Sequence, residues 1–352
     1  MDNMNILIPM AGLGSRFAKE GFKNIKPLIP LNGKTFIEWS IESVDFKNIN
    51  TQFIFVILEE HYGILFEHLK QIKPNCIVLT VPKLTNGAVE TALTAKDYIN
   101  NETPLIITNS DQIFEWNKDK YIDYLRMSNT EADVVIVNET TEKFSYIQLD
   151  DNNYGVKLTE KEVISNNALV GIHYWKKGKY FVDSGVDLIN RDIRSKNEYY
   201  ISLSYNLLIE KNIKVTAYKL GDNEKYLSIG TPEQVYDYLD YKGLNVEIYK
   251  LDNFVRGWIV GDFEPSLLKN SGIELAVMNR EKGVGVHDFH YHERCIELNV
   301  LIKGKMRCNN KVINENEIFV FNPNVPSIYE YLEDCTFVVF KNKPSNADKV
   351  IM

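Results

Sequence analysis

From residue 5 to about residue 245, short apolar runs alternate with segments whose apolar positions recur at helical spacing. The apolar runs fall at 5–10, 53–58, 76–81, 105–108 and 133–137, and the helical segments between them at 34–44, 62–72, 87–99 and 118–128. The runs are continuous rather than alternating, so both faces of the sheet they form are covered. That pattern predicts a doubly wound, Rossmann-like α/β domain. Ligands of such sheets sit at the carboxyl ends of the strands, which directs attention to the loops at 11–27, 82–88 and 109–115.

The rhythm changes after residue 137. FSYIQLD (144–150) and VKLTEKE (156–162) flank a DNNYG turn and read as a hairpin, with ALVGIHYW (168–175) as the next strand. Strands placed this way form a wall over the ligand side of an α/β core. Helices at 179–193 and 200–210, a strand at 213–219 and a helix opening near Pro232 complete the unit. The tyrosines of 236–249 (Tyr236, Tyr238, Tyr241 and Tyr249) read as packing between two domains. Beyond about 250 only short apolar runs remain, at 257–260, 273–278, 295–302, 317–321 and 335–340, separated by Gly, Asn and Pro turns. They predict a small all-β sandwich or barrel, with domains at 1–248 and 249–352.

Composition narrows the classes. The 352 residues are 44% hydrophobic and 25% charged, which excludes disordered and fibrous chains. A net charge of −8 argues against wrapping a nucleic acid, although it leaves room for a local basic cleft. No apolar stretch is long enough to span a membrane, so no membrane partner is expected. Met1 is followed by Asp2-Asn3 without the basic and apolar blocks of a signal peptide. The four cysteines form no CxxC pair, and the expected compartment is the cytoplasm.

The candidate chemistry begins where the first strand runs into AGLGSRF (11–17). Gly12 and Gly14 let backbone N–H groups close on phosphate oxygens where a Cβ would intrude. No GKS or GKT follows, and Phe17 replaces the third glycine of a dinucleotide loop. Instead Arg16 follows at once and Lys26 ten residues later, in KPLIP (26–30). Two cations and backbone donors suit a triphosphate whose α-phosphorus is attacked while pyrophosphate leaves. The plainer alternative is a tight turn with a solvated Arg and Lys. Asp111, in ITNSDQIF (107–114), follows a strand and could hold Mg²⁺, although an Asp there is as often a turn former. Thr85-Asn86-Gly87 offers an open glycine at the start of a helix.

Taken in order, LIPMAGLGSRF…KPLIPLNGKTFIEW (7–39), TNGAVETALTA (85–95), TNSDQ (108–112), LTEKE (158–162), LVGIHYW (169–175), EYYISLSYNLLI (198–209) and YLSIGTPEQ (226–234) resemble bacterial sugar-1-phosphate nucleotidyltransferases, especially their capsule-locus branch. The resemblance implies that Ala11, Gly12, Gly14, Ser15 and Arg16 hold a nucleoside triphosphate and that Lys26 contacts its phosphates. It further implies that Gly87 lies against the base, that Asp111 binds Mg²⁺, and that Glu160, Lys161 and Gly171 receive a phosphorylated small-molecule acceptor. Ser228 stands where the family has a second metal-binding aspartate, and no Gln precedes Gly87 to read a pyrimidine.

In the second domain, HYHERCIELNVLIKG (290–304) resembles the first motif of cupin barrels: HxH, four residues, Glu, six residues, Gly. His290, His292 and Glu297 could share a second divalent metal. The second motif lacks its histidine, since Ser327 or Ile328 stands there, and His287 is spaced for the other strand face. The alternative is a metal-free barrel for dimerisation or small-ligand binding, with a homodimer or higher homo-oligomer as the expected assembly.

Nucleotidyl transfer needs no activated side-chain nucleophile, and the sequence shows glycines, cations and a carboxylate but no triad. A nucleotide-sugar-dependent glycosyltransferase would carry Asp-x-Asp where Asn109-Ser110-Asp111 stands. A non-catalytic sugar-nucleotide binding protein is the third reading, permitted by Ser228 and the incomplete cupin motif.

Overall fold

The computed structural model describes residues 2–128, 130–244, 247–283, 290–344 and 348–351. The chain divides into two compact units, Met1–Asn245 and Val246–Met352. The longer strands of the first unit are β1 (Asn3–Met10), β2 (Asn50–Leu58), β3 (Ile77–Val81), β4 (Leu105–Thr108), β5 (Gln112–Glu115), β6 (Ala132–Asn138), β7 (Ser145–Leu149), β8 (Gly155–Glu160), β9 (Asn167–Trp175), β10 (Val215–Lys219) and β11 (Lys225–Ser228).

Nine of them form one sheet along the path β8-β7-β9-β4-β1-β2-β3, with β6 paired to β9 and β10 to β6. The half containing β4, β1, β2 and β3 is parallel, and β1, β2 and β4 are almost wholly buried. Two apolar clusters, one on each face, bury these strands. The continuous apolar runs therefore do mark a sheet covered on both sides, the doubly wound class. The sheet is mixed rather than all parallel, because β9 runs antiparallel to both β4 and β6.

Most predicted elements stand within a few residues of their expected bounds. The segment 87–99 is different: it splits into helices Ala88–Leu93 and Lys96–Ile99. At the break Thr94 N–H and Ala95 N–H bond to the carbonyls three residues back, at 3.2 and 3.0 Å, so the turn tightens and the helix axis is interrupted. The helix Pro232–Tyr241 starts as the sequence implies, with Pro232 in its first turn and the Thr231 side chain accepting from Gln234 N–H. Its Tyr238 is buried with Phe17, Phe36 and Ile113, and the Tyr241 hydroxyl donates to Glu115 at 2.8 Å. Tyr238 thus packs inside the first unit, correcting its reading as inter-domain packing, while Tyr241 is exposed.

Among the described residues, the second unit is built of β-strands and two short 3-10 turns, Leu251–Asn253 and Val255–Gly257. A six-stranded sheet runs Leu268–Lys269, Trp258–Gly261, Glu274–Arg280, Cys335–Lys341, Glu297–Lys303, Ile318–Phe321, and smaller sheets pair His290–His292 with Lys349–Ile351 and join Lys311–Ile313, Met306–Cys308 and Tyr329–Tyr331. Alternate residues of these strands, among them Ala276, Met278, Leu301, Phe337 and Val339, form its core. Among the described residues no helix is long and apolar enough to cross a membrane.

One buried charge sits in the first unit's core. Asp133 on β6 accepts from Thr216 at 2.6 Å, Tyr124 at 3.1 Å and Tyr121 at 3.2 Å. Complete burial outweighs those donors and raises its carboxyl to about 7. An unfolded chain releases that proton near pH 4, so this group's contribution to stability falls as the pH rises from about 4 to about 7. In Asp133→Asn, the difference in Tm between pH 5 and pH 7.5 should change by what this one carboxyl contributes, the parent losing more stability on the way up.

Candidate active site

Strand β1 ends at Met10 and is followed by buried Ala11, and the chain then turns through Gly12 into a short helix, Ser15–Lys19, that carries Ser15 and Arg16 exposed. Gly14 caps that helix in the left-handed region, at φ 62°. A Cβ on Gly14 would stand 2.7 Å from the Lys26 Cβ, so a glycine both permits the turn and admits the lysine. Lys26 opens a 3-10 turn, Lys26–Leu28, and Phe17, Ile29 and Leu31 anchor both loops in one apolar cluster.

Asp111 follows β4, at the carboxyl end of the parallel strands. Its carboxylate forms an ion pair with the Lys26 ammonium. Gly12, Gly14, Lys26, Asn109, Ser110 and Asp111 line one cleft of about 300 Å³. The sequence placed these residues on separate loops, and the fold brings them to one point.

Ser228 joins them. Strand β11 pairs with β5 so that Ser228 lies opposite Gln112, and Ile229 N–H donates to the Asp111 carbonyl at 3.0 Å. A Cβ on Gly230 would stand 3.0 Å from Asp111 Oδ2 and 3.5 Å from Ser228 Oγ. Glycine thus leaves open the space between a carboxylate and a hydroxyl, both hard oxygen donors suited to Mg²⁺. The Ser228 hydroxyl donates to Gln234 Oε1 at 2.9 Å, so its oxygen keeps acceptor capacity. These residues fit a magnesium ion, with one formal charge where two aspartates would supply two.

Gly171 interrupts β9. The strand pairs with β4 through Ile172 and with β7 through Leu169, and Gly171 between them has φ 73°. Its carbonyl accepts from Asn109 N–H at 3.3 Å and Gln112 Nε2 at 3.3 Å. The register also locates Glu160. Glu160 pairs with Ser145, Ser145 with Leu169, and Leu169 lies three residues beyond the level of Thr108, the end of β4. Glu160 and Lys161 therefore stand past the carboxyl ends of the parallel strands, on the wall that the hairpin pattern predicts.

Glu160 accepts hydrogen bonds from Ser145 and from Ser202, the latter at 2.9 Å. Lys161, itself at φ 57°, donates to the Tyr200 hydroxyl at 2.8 Å. Burial raises the Tyr200 phenol well above its ordinary range, so it accepts this bond as a neutral group. Gly87 meets the same segment: at φ 131° its Cβ position lies 2.5 and 2.7 Å from the Tyr199 backbone N and O.

A family model for nucleotidyl transferases matches residues 6–239. The chain belongs to that family. The bifunctional protein GlmU of Methanocaldococcus jannaschii is 28% identical over 176 residues, 50% of this chain and 40% of that protein. The chain thus spans about two fifths of that relative's length. The D-glycero-alpha-D-manno-heptose 1-phosphate guanylyltransferase of Campylobacter jejuni is 22% identical over 245 residues, 67% of this chain and 99% of that protein. Among solved structures, the nucleoside-diphosphate-sugar pyrophosphorylase from Vibrio cholerae superposes with a TM-score of 0.58 at 20% identity, covering 67% of this chain and 99% of that one. That likeness shows a shared fold for the nucleotidyl transferase unit.

Several residues that shape this nucleotidyl transferase cleft lie within the family-like segments but are not singled out there as site residues. Asn109 and Gln112 shape the β9 break, Tyr199 and Tyr200 hold Gly87 and Lys161, and Gln234 orients Ser228. All but Gln234, which is six residues from Ser228, act through a partner far along the chain, which no spacing rule reports.

In the second unit His290, His292 and Glu297 do converge, with one ligand atom from each within 4.8 Å of the others. The Ser327 hydroxyl, where a cupin histidine would stand, bonds to the His290 ring at 3.3 Å. Glu297 Oε2 and His292 Nε2 are 3.7 Å apart, however, and the Lys341 ammonium sits against both, 3.3 Å from Glu297 Oε2 and 3.3 Å from His292 Nε2. A second triad, His292, Cys295 and Asp348, also clusters, but Asp348 already accepts from the backbone N–H of Arg294 and Cys295 at 2.8 and 2.7 Å. His287 lies outside the described residues.

Gly87→Ala tests the tightness of the first unit's cleft. A residue with a Cβ is strained at that φ and meets immovable backbone, so the variant should lose about 3 kcal/mol of stability in urea unfolding. Gly63→Ala, where a Cβ meets open space within a helix, should match or exceed the parent.

Proposed function

We propose that the protein transfers a nucleotidyl group from a nucleoside triphosphate to a phosphorylated sugar or related small molecule. An acceptor phosphate oxygen attacks the α-phosphorus, the α–β bridging bond breaks, and the products are an NDP-activated compound and pyrophosphate. The observation that carries this reading is the convergence of Lys26, Asp111 and the glycine loop on one cleft at the carboxyl ends of β1 and β4. No nucleophilic side chain is required, because the acceptor oxygen is already anionic. The protein's part is to position reactants and match charge.

In this reading the backbone of Ala11, Gly12, Gly14 and Ser15 surrounds the phosphates, and Arg16 and Lys26 neutralise charge that grows on the departing pyrophosphate. Gly87, with no side chain, lies against the base. Glu160 and Lys161 receive the acceptor, with the acceptor-facing strand opened at Gly171. Mg²⁺ at Asp111, beside Ser228, would supply further neutralisation of the phosphates when bound. The hydrogen bonds to Glu160 and Lys161 fix both groups in place before any ligand arrives, which favours orientation over induced fit.

The acceptor is assigned as a sugar 1-phosphate, since relatives matched over nearly their whole length are named for heptose 1-phosphate guanylyl transfer and for nucleoside-diphosphate sugars. Capsule or surface polysaccharide synthesis is the proposed destination of the product, supported by the capsule-branch resemblance. All four cysteines are free, in keeping with a cytoplasmic site of action. Residues 1–248 would carry the reaction, and 249–352 a separate, cupin-like role.

Pyrophosphate release across the four NTPs with a panel of sugar phosphates tests the reading. With the productive pair, Lys26→Ala should lower kcat/KM by about a hundredfold or more, roughly 3 kcal/mol, with Tm little changed. Asp111→Asn should fall at least as far. Near-parental turnover in either variant overturns the assignment, and release by no NTP with any acceptor favours a binding protein.

Ser228→Asp probes the missing charge. Restoring a second carboxylate beside Asp111 should lower the Mg²⁺ concentration for half-maximal rate. A higher requirement with unchanged Tm would mean that the loop is built around the serine.

A further inference from the structure

The second unit contains a cavity of about 280 Å³ whose lining includes Arg256, Arg280, His290, Lys341 and Lys349, with Glu297 as its one carboxylate among the described residues. Glu297 is already satisfied. It lies directly opposite Lys341 on the neighbouring strand, and both side chains are almost wholly buried, at 6% and 7% exposed. The Lys341 ammonium contacts Glu297 Oε2, and Glu297 Oε1 accepts from Tyr329 at 2.8 Å and Asn299 at 3.1 Å. Burial alone would raise the Glu297 carboxyl. The His292 and Lys341 contacts and the two donors outweigh it, and the group is held down at about 2.

Two consequences follow from that pairing. The place beside Glu297 and His292 that a cupin metal would take is supplied with a cation by the chain itself, so the motif does not fit a metal there. The remaining cations are also left over: Arg256, Arg280 and Lys349 have no carboxylate partner among the described residues. In a chain of net charge −8, this concave surface is locally positive and attracts anions. Guanidinium groups in particular match phosphate oxygens two at a time. The cavity is also lined by Trp258 and Tyr329, and its volume lies at the small end of the range for ligand sites, about 300–1,000 Å³. That size suits one sugar ring with its phosphate.

We propose that this cavity binds a sugar-sized phosphorylated ligand through Arg256, Arg280 and Lys349, with Lys341, fixed by Glu297 and His292, as its built-in cation in place of a metal ion. The proposal stands independently of the nucleotidyl-transfer reading, because every residue it uses belongs to the second unit.

Isothermal titration of the full-length protein with glucose 6-phosphate, inorganic phosphate and glucose, all with EDTA present, tests it. Glucose 6-phosphate should bind, inorganic phosphate more weakly, and glucose not measurably. The double variant Arg280→Gln, Lys349→Gln changes half-buried and exposed side chains, so the fold should persist, with Tm as the check. It should weaken glucose 6-phosphate by about tenfold or more. Lys161→Ala, in the first unit, should leave this binding unchanged. Elemental analysis of protein prepared without chelators should find no stoichiometric transition metal. Absent binding, equal binding of glucose, an unaffected double variant or loss in Lys161→Ala would each overturn the proposal. One tightly held metal per chain would overturn the role given to Lys341.

Discussion

Lys26 and Asp111 lie 85 positions apart in sequence, yet their charged groups meet, and much of the first unit's architecture serves that meeting. Parallel strands β1 and β4 are neighbours in the sheet, so the loops leaving them emerge side by side. Gly14 removes the side chain that would keep Lys26 away. The apolar cluster around Phe17, Ile29 and Ile113 seats the loop from below, and β11 brings Ser228 and Gly230 against the carboxylate. An ion pair at this exposure adds little to stability. Its importance under the proposed function is positional: a cation and an anion are held where a phosphate chain and its metal would need opposite partners.

Both units place a lysine against a carboxylate, but the environments differ. Lys26 and Asp111 are each about a fifth exposed, so water and ligands can reach them and the partners can exchange. Lys341 and Glu297 are buried and further tied by Tyr329, Asn299 and His292. Removing one partner there would strand the other charge in a low-dielectric interior, which is costly. The first pair suits a site that changes partners, the second a fixed element of the wall.

Much of this could be read in the sequence because its causes are local. Continuous apolar runs, the glycines of 11–17 and the turn at 151–155 act over a few residues, and they stand where the pattern put them. Strand direction is different. Nothing in LVGIHYW distinguishes a parallel from an antiparallel strand, so the mixed character of the sheet emerged only from its pairing. Lys341 was hidden for a similar reason. It ends an apolar strand 49 positions from His292, and only the register that sets it opposite Glu297 reveals that it contacts both Glu297 and His292 of the histidine motif. His290, His292 and Glu297 were legible as a group, but not the group that completes them.

Gly171 shows how tightly such a fold couples distant positions. Its Cβ position lies 2.2 Å from Asn109 Nδ2 and 2.7 Å from Gln112 Oε1, both on the opposite side of a strand junction. An alanine there is excluded while those two amides remain, and smaller residues at 109 or 112 would leave a void beside a glycine. The three positions therefore form one epistatic unit, in which single changes are harmful and only combined ones can restore the fit. A lineage drifting from this sequence has to cross that barrier in concert, so these positions should vary together while the surrounding loop surface changes freely.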